Sequence, residues 1–161
     1  MLFRSFFIAD EVMTGFGRTG TMFACDQAGI TPDILCLAKG LTGGSLPLAA
    51  TLCTAEIFDA HVSTDRARMF FHSSSYTANP IACAATAENL EIWNSEPVRQ
   101  RIAELSKHQG VALENFATDA RFTNARQLGT IAAMDLVGAN SGYLADIALP
   151  LRAACLKRDV L

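Results

Sequence analysis

The chain reads Asp33-Ile-Leu-Cys-Leu-Ala-Lys39-Gly-Leu-Thr-Gly-Gly44 at the point that decides its fold, where an apolar run carries one lysine into a glycine-rich turn. Residues 34–38 predict a short buried strand, because they are too apolar for a half-exposed strand and too few for a buried helix. Lys39 would then stand at the carboxyl end of that strand, the edge where open α/β sheets bind their ligands. The glycines that follow let the backbone turn tightly and approach a bound group.

Two interpretations of Lys39 follow from this position. A lysine at the rim of a pocket is partly desolvated, which favours the neutral amine, a nucleophile that can form a Schiff base with a carbonyl compound. The alternative is an ordinary solvated lysine in a surface loop, because buried lysines are rare. The sequence upstream favours the reactive lysine.

A second apolar strand, Phe6–Ala9, ends on two adjacent acids, Asp10 and Glu11. An acid that closes a buried strand is costly unless a cationic group partners it. The segment between Asp10 and Lys39 is long enough for a crossover between parallel strands, which would place both side chains at one edge of an α/β sheet. A reactive lysine facing a carboxylate suggests pyridoxal phosphate, because that cofactor needs a Schiff-base lysine and an acid at its pyridine nitrogen.

Residues 15–20, Gly-Phe-Gly-Arg-Thr-Gly, match the G-x-G-x-x-G pattern of dinucleotide-binding proteins. In that motif the first glycine directly follows a strand, and an acid stands about twenty residues further on. Here residues 10–14 intervene and Leu35 falls in the next apolar strand, so the context disfavours nicotinamide binding. A tight surface loop with a solvated Arg18 remains an alternative.

Hydroxyl groups cluster in His72-Ser-Ser-Ser-Tyr-Thr77, just before a predicted helix that Asn79 can cap and Pro80 can begin. Hydroxyls and backbone amides before a helix form a natural phosphate site. The alternative is that Ser73–Ser75 only form a capping loop. We expect a structural role for His72 and a surface position for the other two histidines, because nothing nearby in the sequence supplies a partner: His61 and His108.

Three segments, in this order and spacing, resemble successive motifs of the class III aminotransferases, which are fold type I pyridoxal-phosphate enzymes: Asp10-Glu-Val-Met-Thr-Gly-Phe-Gly-Arg-Thr-Gly20, Pro32-Asp-Ile-Leu-Cys-Leu-Ala-Lys-Gly-Leu-Thr-Gly-Gly44 and His72-Ser-Ser-Ser-Tyr-Thr-Ala-Asn-Pro80. The resemblance covers roughly residues 6–161. It implies an α/β fold, with part of a large cofactor domain (a mostly parallel sheet with flanking helices) at residues 1–120. The start of a small α+β C-terminal domain would follow at 121–161.

The resemblance also implies roles for four residues, and no metal site. Lys39 would hold pyridoxal 5'-phosphate as a Schiff base, Asp10 would face its pyridine nitrogen and Val12 would pack on its ring. Ser75 stands where the family has a threonine that reaches the cofactor phosphate of the neighbouring subunit, which implies a homodimer with its active sites at the interface. Met13 replaces a glutamine found in many members, which leaves the phenolic oxygen of the cofactor without that partner.

Within the family, three segments look most like members that act in biotin synthesis: Phe23-Ala-Cys-Asp-Gln-Ala, Leu48-Ala-Ala-Thr-Leu-Cys-Thr and the serine-rich segment at His72. This likeness implies amino transfer from S-adenosylmethionine to 8-amino-7-oxononanoate. Two alternatives remain, namely another class III omega-aminotransferase that uses pyruvate or 2-oxoglutarate, or a non-catalytic interaction fragment.

The composition excludes other classes of protein. A net charge of −3 with 18% charged residues gives no basic surface for nucleic acid, and no apolar run approaches the length of a membrane span. Five widely spaced cysteines without a C-x-x-C pair indicate neither a disulfide framework nor a zinc site, which fits the reducing cytoplasm. The first residues lack the pattern of a signal peptide.

Hydrophobic periodicity and turn residues predict the remaining elements: a strand at 46–54, helices at 55–60, 81–93 and 97–117, a strand at 126–136, a helix at 143–158 and the first residues of another strand at 160–161. Both ends of the chain look unfinished, because it enters a core strand within a few residues and stops inside another. We therefore expect a fragment that holds the catalytic lysine and is inactive alone.

Overall fold

The computed structural model of the chain describes residues 5–72, 74–137 and 146–160. These form an α/β structure whose elements, in chain order, are β1 (Ile8–Asp10), α1 (Ala24–Ala28), β2 (Ile34–Leu37), β3 (Ala50–Cys53), α2 (Ala55–His61), α3 (Pro80–Ser95), α4 (Val98–Ala117), β4 (Phe122–Leu128), β5 (Ile131–Leu136) and α5 (Ala148–Leu156). No helix in these ranges is both long and apolar enough to cross a membrane.

The chain divides into two compact units. The first unit comprises the chain up to and including Gln109, together with Leu128–Ile131. The second unit comprises Gly110–Gln127 and the residues from Ala132 onward. The predicted domain change near Ala120 lies inside the second unit. The candidate active site lies wholly in the first unit.

β1, β2 and β3 form one sheet in that order. β1 and β2 are parallel, with Asp10 opposite Cys36, so the predicted crossover and the shared sheet edge are confirmed. β3 runs antiparallel to β2, with Ala50 opposite Leu37. The three strands therefore make a mixed sheet, and the mostly parallel sheet that we expected is not evident in them.

Glu11 connects the end of β1 to the start of α1. Its side chain is 2% exposed and accepts hydrogen bonds from the amides of Ala24 (3.0 Å) and Cys25 (2.8 Å) and from the Thr14 hydroxyl. Burial raises the pKa of Glu11, but these donors outweigh it and leave the pKa below its usual value. The expectation that an acid closing this strand needs a cation was wrong for Glu11, because the free amides of a helix N-terminus stabilise the charge instead.

α3 begins as the sequence predicts. The Asn79 side chain accepts hydrogen bonds from the amides of Ile81 (3.0 Å) and Ala82 (3.3 Å), and Pro80 occupies the first helical position. These two features satisfy or remove amides that a helix N-terminus leaves without partners. The predictions of α2 and α4 are confirmed to within one residue at most at each end.

The single strand predicted at 126–136 was wrong. The structure has two strands there, β4 and β5, joined by Gly129 and Thr130 in a hairpin. Gly129 has a φ of +57°, in the left-handed region that a tight turn requires. Asn124 and Arg126 on β4 both bind the carboxylate of Asp135 on β5, at 3.0 and 3.1 Å.

The turn of this hairpin belongs to the first unit and is held closely there. Thr130 donates two hydrogen bonds to the Arg18 carbonyl, from its amide (3.0 Å) and from its hydroxyl (3.1 Å). The Gly129 carbonyl accepts a hydrogen bond of 2.7 Å from Ser106. The glycine loop at residues 15–20 is therefore fixed by a turn more than a hundred residues further along the chain.

The C-terminal prediction is only partly confirmed. α5 forms, but residues 143–145 of the predicted helix lie outside the described residues, as does Leu161. Val160 is not in a strand, because its amide bonds the Cys155 carbonyl at 3.0 Å and closes the end of α5. Asp159 has a φ of +55°, and this left-handed conformation turns the chain so that the Val160 amide reaches the Cys155 carbonyl.

Candidate active site

Lys39 lies two residues after the end of β2 and begins one turn of 3-10 helix, Lys39–Thr42. Its φ of +46° lies in the left-handed region, which costs a non-glycine residue on the order of 1 kcal/mol and persists only where the surroundings enforce it. The turn is closed by hydrogen bonds from the Leu41 amide to Ala38 (3.1 Å) and from the Gly44 amide to Lys39 (3.0 Å). The backbone that carries the lysine is therefore held in one defined conformation.

Two side chains support this turn from outside it. A Cβ added to Gly40 would lie 2.6 Å from the Cβ of Phe16, so Phe16 packs directly on the glycine. The Phe16 ring in turn contacts the rings of Phe23 and Trp93 edge to face, with centroids 5.9 and 6.2 Å away. The second support is Asn89 on α3, whose Nδ2 donates to the carbonyls of residues 40 and 41 at 2.9 and 3.1 Å.

Lys39 lines a cavity of about 1420 Å³ in the first unit. This volume exceeds the 300–1,000 Å³ typical of a pocket for one small molecule. Its walls combine apolar residues with a few polar ones: Val12, Ile34, Lys39, Leu46, Thr51, Cys53, Phe58, His61, Phe70, His72, Ser74, Tyr76 and Thr77 are among them. Among the residues that the structure describes, the cavity lining thus has a single amine, several hydroxyls and a mostly apolar character.

The structure brings together Lys39 and Val12 of the four predicted site residues, since both line the cavity. Asp10 and Ser75 are not among its lining residues in the part of the chain that the structure describes. Asp10 is exposed at the end of β1, level with Cys36 on β2, and its Oδ1 accepts a hydrogen bond of 3.1 Å from the Val12 amide. The roles of all four residues stay predictions.

The hydroxyl segment reaches the cavity through the neighbours of Ser75. Ser74 and Thr77 both line it, and their hydroxyls lie 3.1 Å apart, with the Ser74 amide also donating to Thr77. Ser74, Ser75 and Thr77 are all exposed, and Ser73 lies outside the described residues. The sequence indicated this segment correctly but not which of its residues line the cavity.

Sequence reasoning missed two histidines. His61 and His72 line the same cavity as Lys39, and Nδ1 of His61 lies 3.0 Å from the Arg68 carbonyl. The predicted surface position of His61 is confirmed, but the expectation that nothing nearby partners it was wrong. Phe70 stands between the two imidazoles, with ring centroids 5.9 Å from each. The position of His72 immediately before the hydroxyl segment was the signal that could have placed it.

The glycine loop packs against helices and lacks the strand–turn–helix context of a dinucleotide motif. It forms turns, and the next helix, α1, begins only at Ala24. A Cβ at Gly17 would lie 2.2 Å from Cδ1 of Ile102 and 3.1 Å from the Trp93 ring, so this glycine serves close packing. Its φ of +85° independently requires glycine.

The model of the family described as aminotransferase class-III matches residues 4–154. The chain belongs to the class III aminotransferases. The motifs quoted above thus carry a resemblance that extends over nearly the whole chain.

Individual class III aminotransferases agree with this assignment. The chain is 48% identical over 158 residues to the adenosylmethionine-8-amino-7-oxononanoate aminotransferase of Synechococcus elongatus, covering 98% of this chain but 37% of the relative. It is 40% identical, with a TM-score of 0.77, to the crystal structure of the enzyme of that name from Methanocaldococcus jannaschii, covering 83% of this chain and 32% of that one. The omega transaminase of Pseudomonas jessenii in complex with PMP is 36% identical, with a TM-score of 0.75, over 81% of this chain and 29% of that one.

Proposed function

We propose that these residues form part of a pyridoxal-phosphate-dependent aminotransferase in which Lys39 carries the cofactor. The observation that supports this most is the placement of Lys39, held in a left-handed turn at the end of β2 and lining a large cavity. Membership of the class III aminotransferases supports the same reaction. Because the chain spans about a third of its relatives, the activity is proposed for a longer protein that contains it.

The residues present fit the cofactor. The cavity is large enough, and it offers one amine, an apolar side chain for the ring at Val12 and hydroxyls for the phosphate at Ser74 and Thr77. α3 follows this hydroxyl segment, and the amides and dipole of a helix N-terminus favour a phosphate. When bound, pyridoxal phosphate supplies an electron sink for a carbanion at the substrate carbon.

Each predicted residue has a defined task in this proposal. The Lys39 amine binds the cofactor and, once released by the substrate amine, moves a proton at the substrate carbon as a general base. The Asp10 carboxylate holds a proton at the pyridine nitrogen. Ser75 hydrogen-bonds the phosphate of the neighbouring subunit in a homodimer, and its position outside the cavity lining suits a group that acts on another subunit.

The proposed reaction is amino transfer from S-adenosylmethionine to 8-amino-7-oxononanoate, giving 7,8-diaminononanoate in biotin synthesis. It is supported by the names of the relatives that are 48% and 40% identical. The alternative is an omega-aminotransferase that uses pyruvate or 2-oxoglutarate, supported by the relative at 36% identity.

We also propose a cytoplasmic location, a cofactor domain at residues 1–120 and the start of a small domain at 121–161.

The cofactor attachment is tested in a full-length protein that carries this chain. The protein is incubated with pyridoxal phosphate, reduced with borohydride and digested, and the labelled lysine is found by mass spectrometry. We expect the label on Lys39 and its loss in Lys39→Ala. Lys107 and Lys157 are exposed, as Lys39 is, but do not line the cavity, and they serve as internal controls in the same sample. Equal labelling of all three lysines, or a label that persists in Lys39→Ala, would contradict the proposal.

The choice of substrate needs a separate assay. Amino transfer is measured from S-adenosylmethionine to 8-amino-7-oxononanoate, and in parallel from an amine to pyruvate or 2-oxoglutarate. We expect the first reaction to be faster at equal substrate concentration. The reverse order would favour the omega-aminotransferase alternative.

A further inference from the structure

The carboxamide of Asn89 is half-buried between α3 and the turn that carries Lys39. Its Nδ2 donates to two successive carbonyls of this turn, those of Gly40 (2.9 Å) and Leu41 (3.1 Å). Its Oδ1 would lie 3.2 Å from a Cβ at Gly43, so the amide fills the space beside that glycine. The Asn89 side chain thus lies against three of the five residues 40–44 that follow Lys39.

This contact acts on backbone that has an unfavourable conformation. Lys39 has a φ of +46°, and Gly43, at the other end of the turn, has a φ of +62°. A non-glycine residue stays in the left-handed region only if surrounding contacts enforce it, and such residues concentrate at functional sites. Asn89 and Phe16 supply those contacts, Asn89 through the turn carbonyls and Phe16 through packing on Gly40.

α3 also connects this turn to the hydroxyl segment. Asn79, two residues after the cavity-lining Thr77, caps the start of the helix, and Asn89 lies ten residues further along the chain in the same helix. At 1.5 Å per residue the two positions are about 15 Å apart along a rigid element. Because α3 begins beside the hydroxyl segment and bonds the lysine turn through Asn89, it fixes the distance between the Lys39 turn and the hydroxyl segment.

We propose that Asn89 is a positioning residue that sets the direction of the Lys39 side chain by holding the carbonyls of its turn. This inference deepens the proposed function and rests on it, because the reason for directing Lys39 is to bring its amine to the cofactor. Without the two hydrogen bonds the turn would relax from its left-handed conformation. Lys39 is exposed and lines the cavity, and its side chain would then take directions that lead away from the cavity.

The test compares lysine reactivity in the cofactor-free full-length protein that carries this chain. A limiting amount of isotopically labelled acetic anhydride is added, and the acetylation rate of Lys39 is divided by that of Lys107 in the same sample. The variants are Asn89→Ala, and Asn89→Asp, which keeps the shape but replaces the donor by an acceptor. We expect the ratio to change by at least about threefold in both variants, and the rate of borohydride fixation of pyridoxal phosphate at Lys39 to fall about tenfold, equivalent to about 1.4 kcal/mol.

A control separates positioning from general loss of stability. Leu113→Val removes volume from a buried residue of α4 that takes no part in the turn, and it should lower the melting temperature while leaving the Lys39 to Lys107 ratio within about 1.5-fold of the unsubstituted protein. The inference is overturned if both Asn89 variants keep the original ratio, or if Leu113→Val shifts it equally. Failure of the unsubstituted protein to fix any cofactor at Lys39 would overturn the proposed function instead, and the acetylation ratio would still decide the role of Asn89.

Discussion

The side chain of Phe16 rests on Gly40, so closely that a Cβ at Gly40 would lie 2.6 Å from the Cβ of Phe16 and 2.9 Å from its ring. This contact joins the glycine loop at residues 15–20 to the residue after Lys39. A packed aromatic ring has little room to move aside, because it is itself in contact with Phe23 and Trp93.

Gly40→Ala should therefore destabilise the protein and disturb the lysine turn. Overpacking of this kind costs about 1–3 kcal/mol. Urea unfolding measures the loss of stability, and borohydride fixation of pyridoxal phosphate at Lys39 measures the effect on the site. Gly110→Ala is the matched control, because its added methyl meets only the end of the Gln127 side chain and alanine favours the helix. Equal stability of the two variants would show that Phe16 can move.

Glu11 predicts a pH dependence of stability. Its pKa is lowered in the folded protein, so its contribution is present above its unfolded pKa near 4.5 and is lost as the pH falls from there through the folded value. Glu11→Gln should remove about 1–3 kcal/mol at neutral pH and flatten the decline in stability below pH 4.5. The free energy of unfolding between pH 3 and pH 7 measures this. Glu114→Gln, on an exposed part of α4, should leave the profile unchanged, and an unchanged profile for Glu11→Gln would refute the helix-capping role.

Ser75 predicts complementation between subunits. Ser75→Ala should weaken cofactor binding by about 1–3 kcal/mol, the range for a hydrogen bond to a charged group. Inactive Lys39→Ala subunits mixed with inactive Ser75→Asp subunits should regain part of the activity in heterodimers, because each heterodimer can assemble one intact site. Activity after subunit exchange is the measurement. No recovery would indicate that both residues serve the site of their own chain.

The segment of 161 residues alone should fold poorly and show no amino transfer. It exposes large apolar side chains around the cavity and at the start of α3, among them Phe70 (69%), Tyr76 (79%) and Ile81 (71%). Exposed apolar surface on this scale favours association over a stable monomer. Sedimentation and an amino-transfer assay of the isolated segment test this, with the full-length protein as the positive control. Turnover by the isolated segment would mean that the site needs fewer parts than the relatives suggest.

The sequence predicted the features that depend on short-range patterns. The parallel pairing of β1 with β2 followed from two apolar runs with enough chain between them, and the start of α3 followed from Asn79 and Pro80. The lysine at the end of β2 followed from the same apolar run. These features were accessible because each needs only the order of neighbouring residues.

The features that sequence reasoning missed depend on contacts between distant residues. Asn89 and Gly40 are 49 residues apart, and nothing around either residue indicates a hydrogen bond between them. Two of the partners of Glu11 are the backbone amides of Ala24 and Cys25, a group that every residue except proline has, so no side chain identified them. The hairpin was missed because β4 is exposed along almost its whole length and lacks the alternation of a half-buried strand.

The β4–β5 turn packs so closely against the glycine loop that its number of residues is constrained. Turns between strands usually tolerate insertions, because they project into solvent. Here a Cβ at Gly129 would lie 2.2 Å from the carbonyl carbon of Thr19, and Thr130 bonds the Arg18 carbonyl through two groups. An added residue would have to displace the loop that supports Phe16, so this turn should accept substitutions at Thr130 more readily than any change in its number of residues.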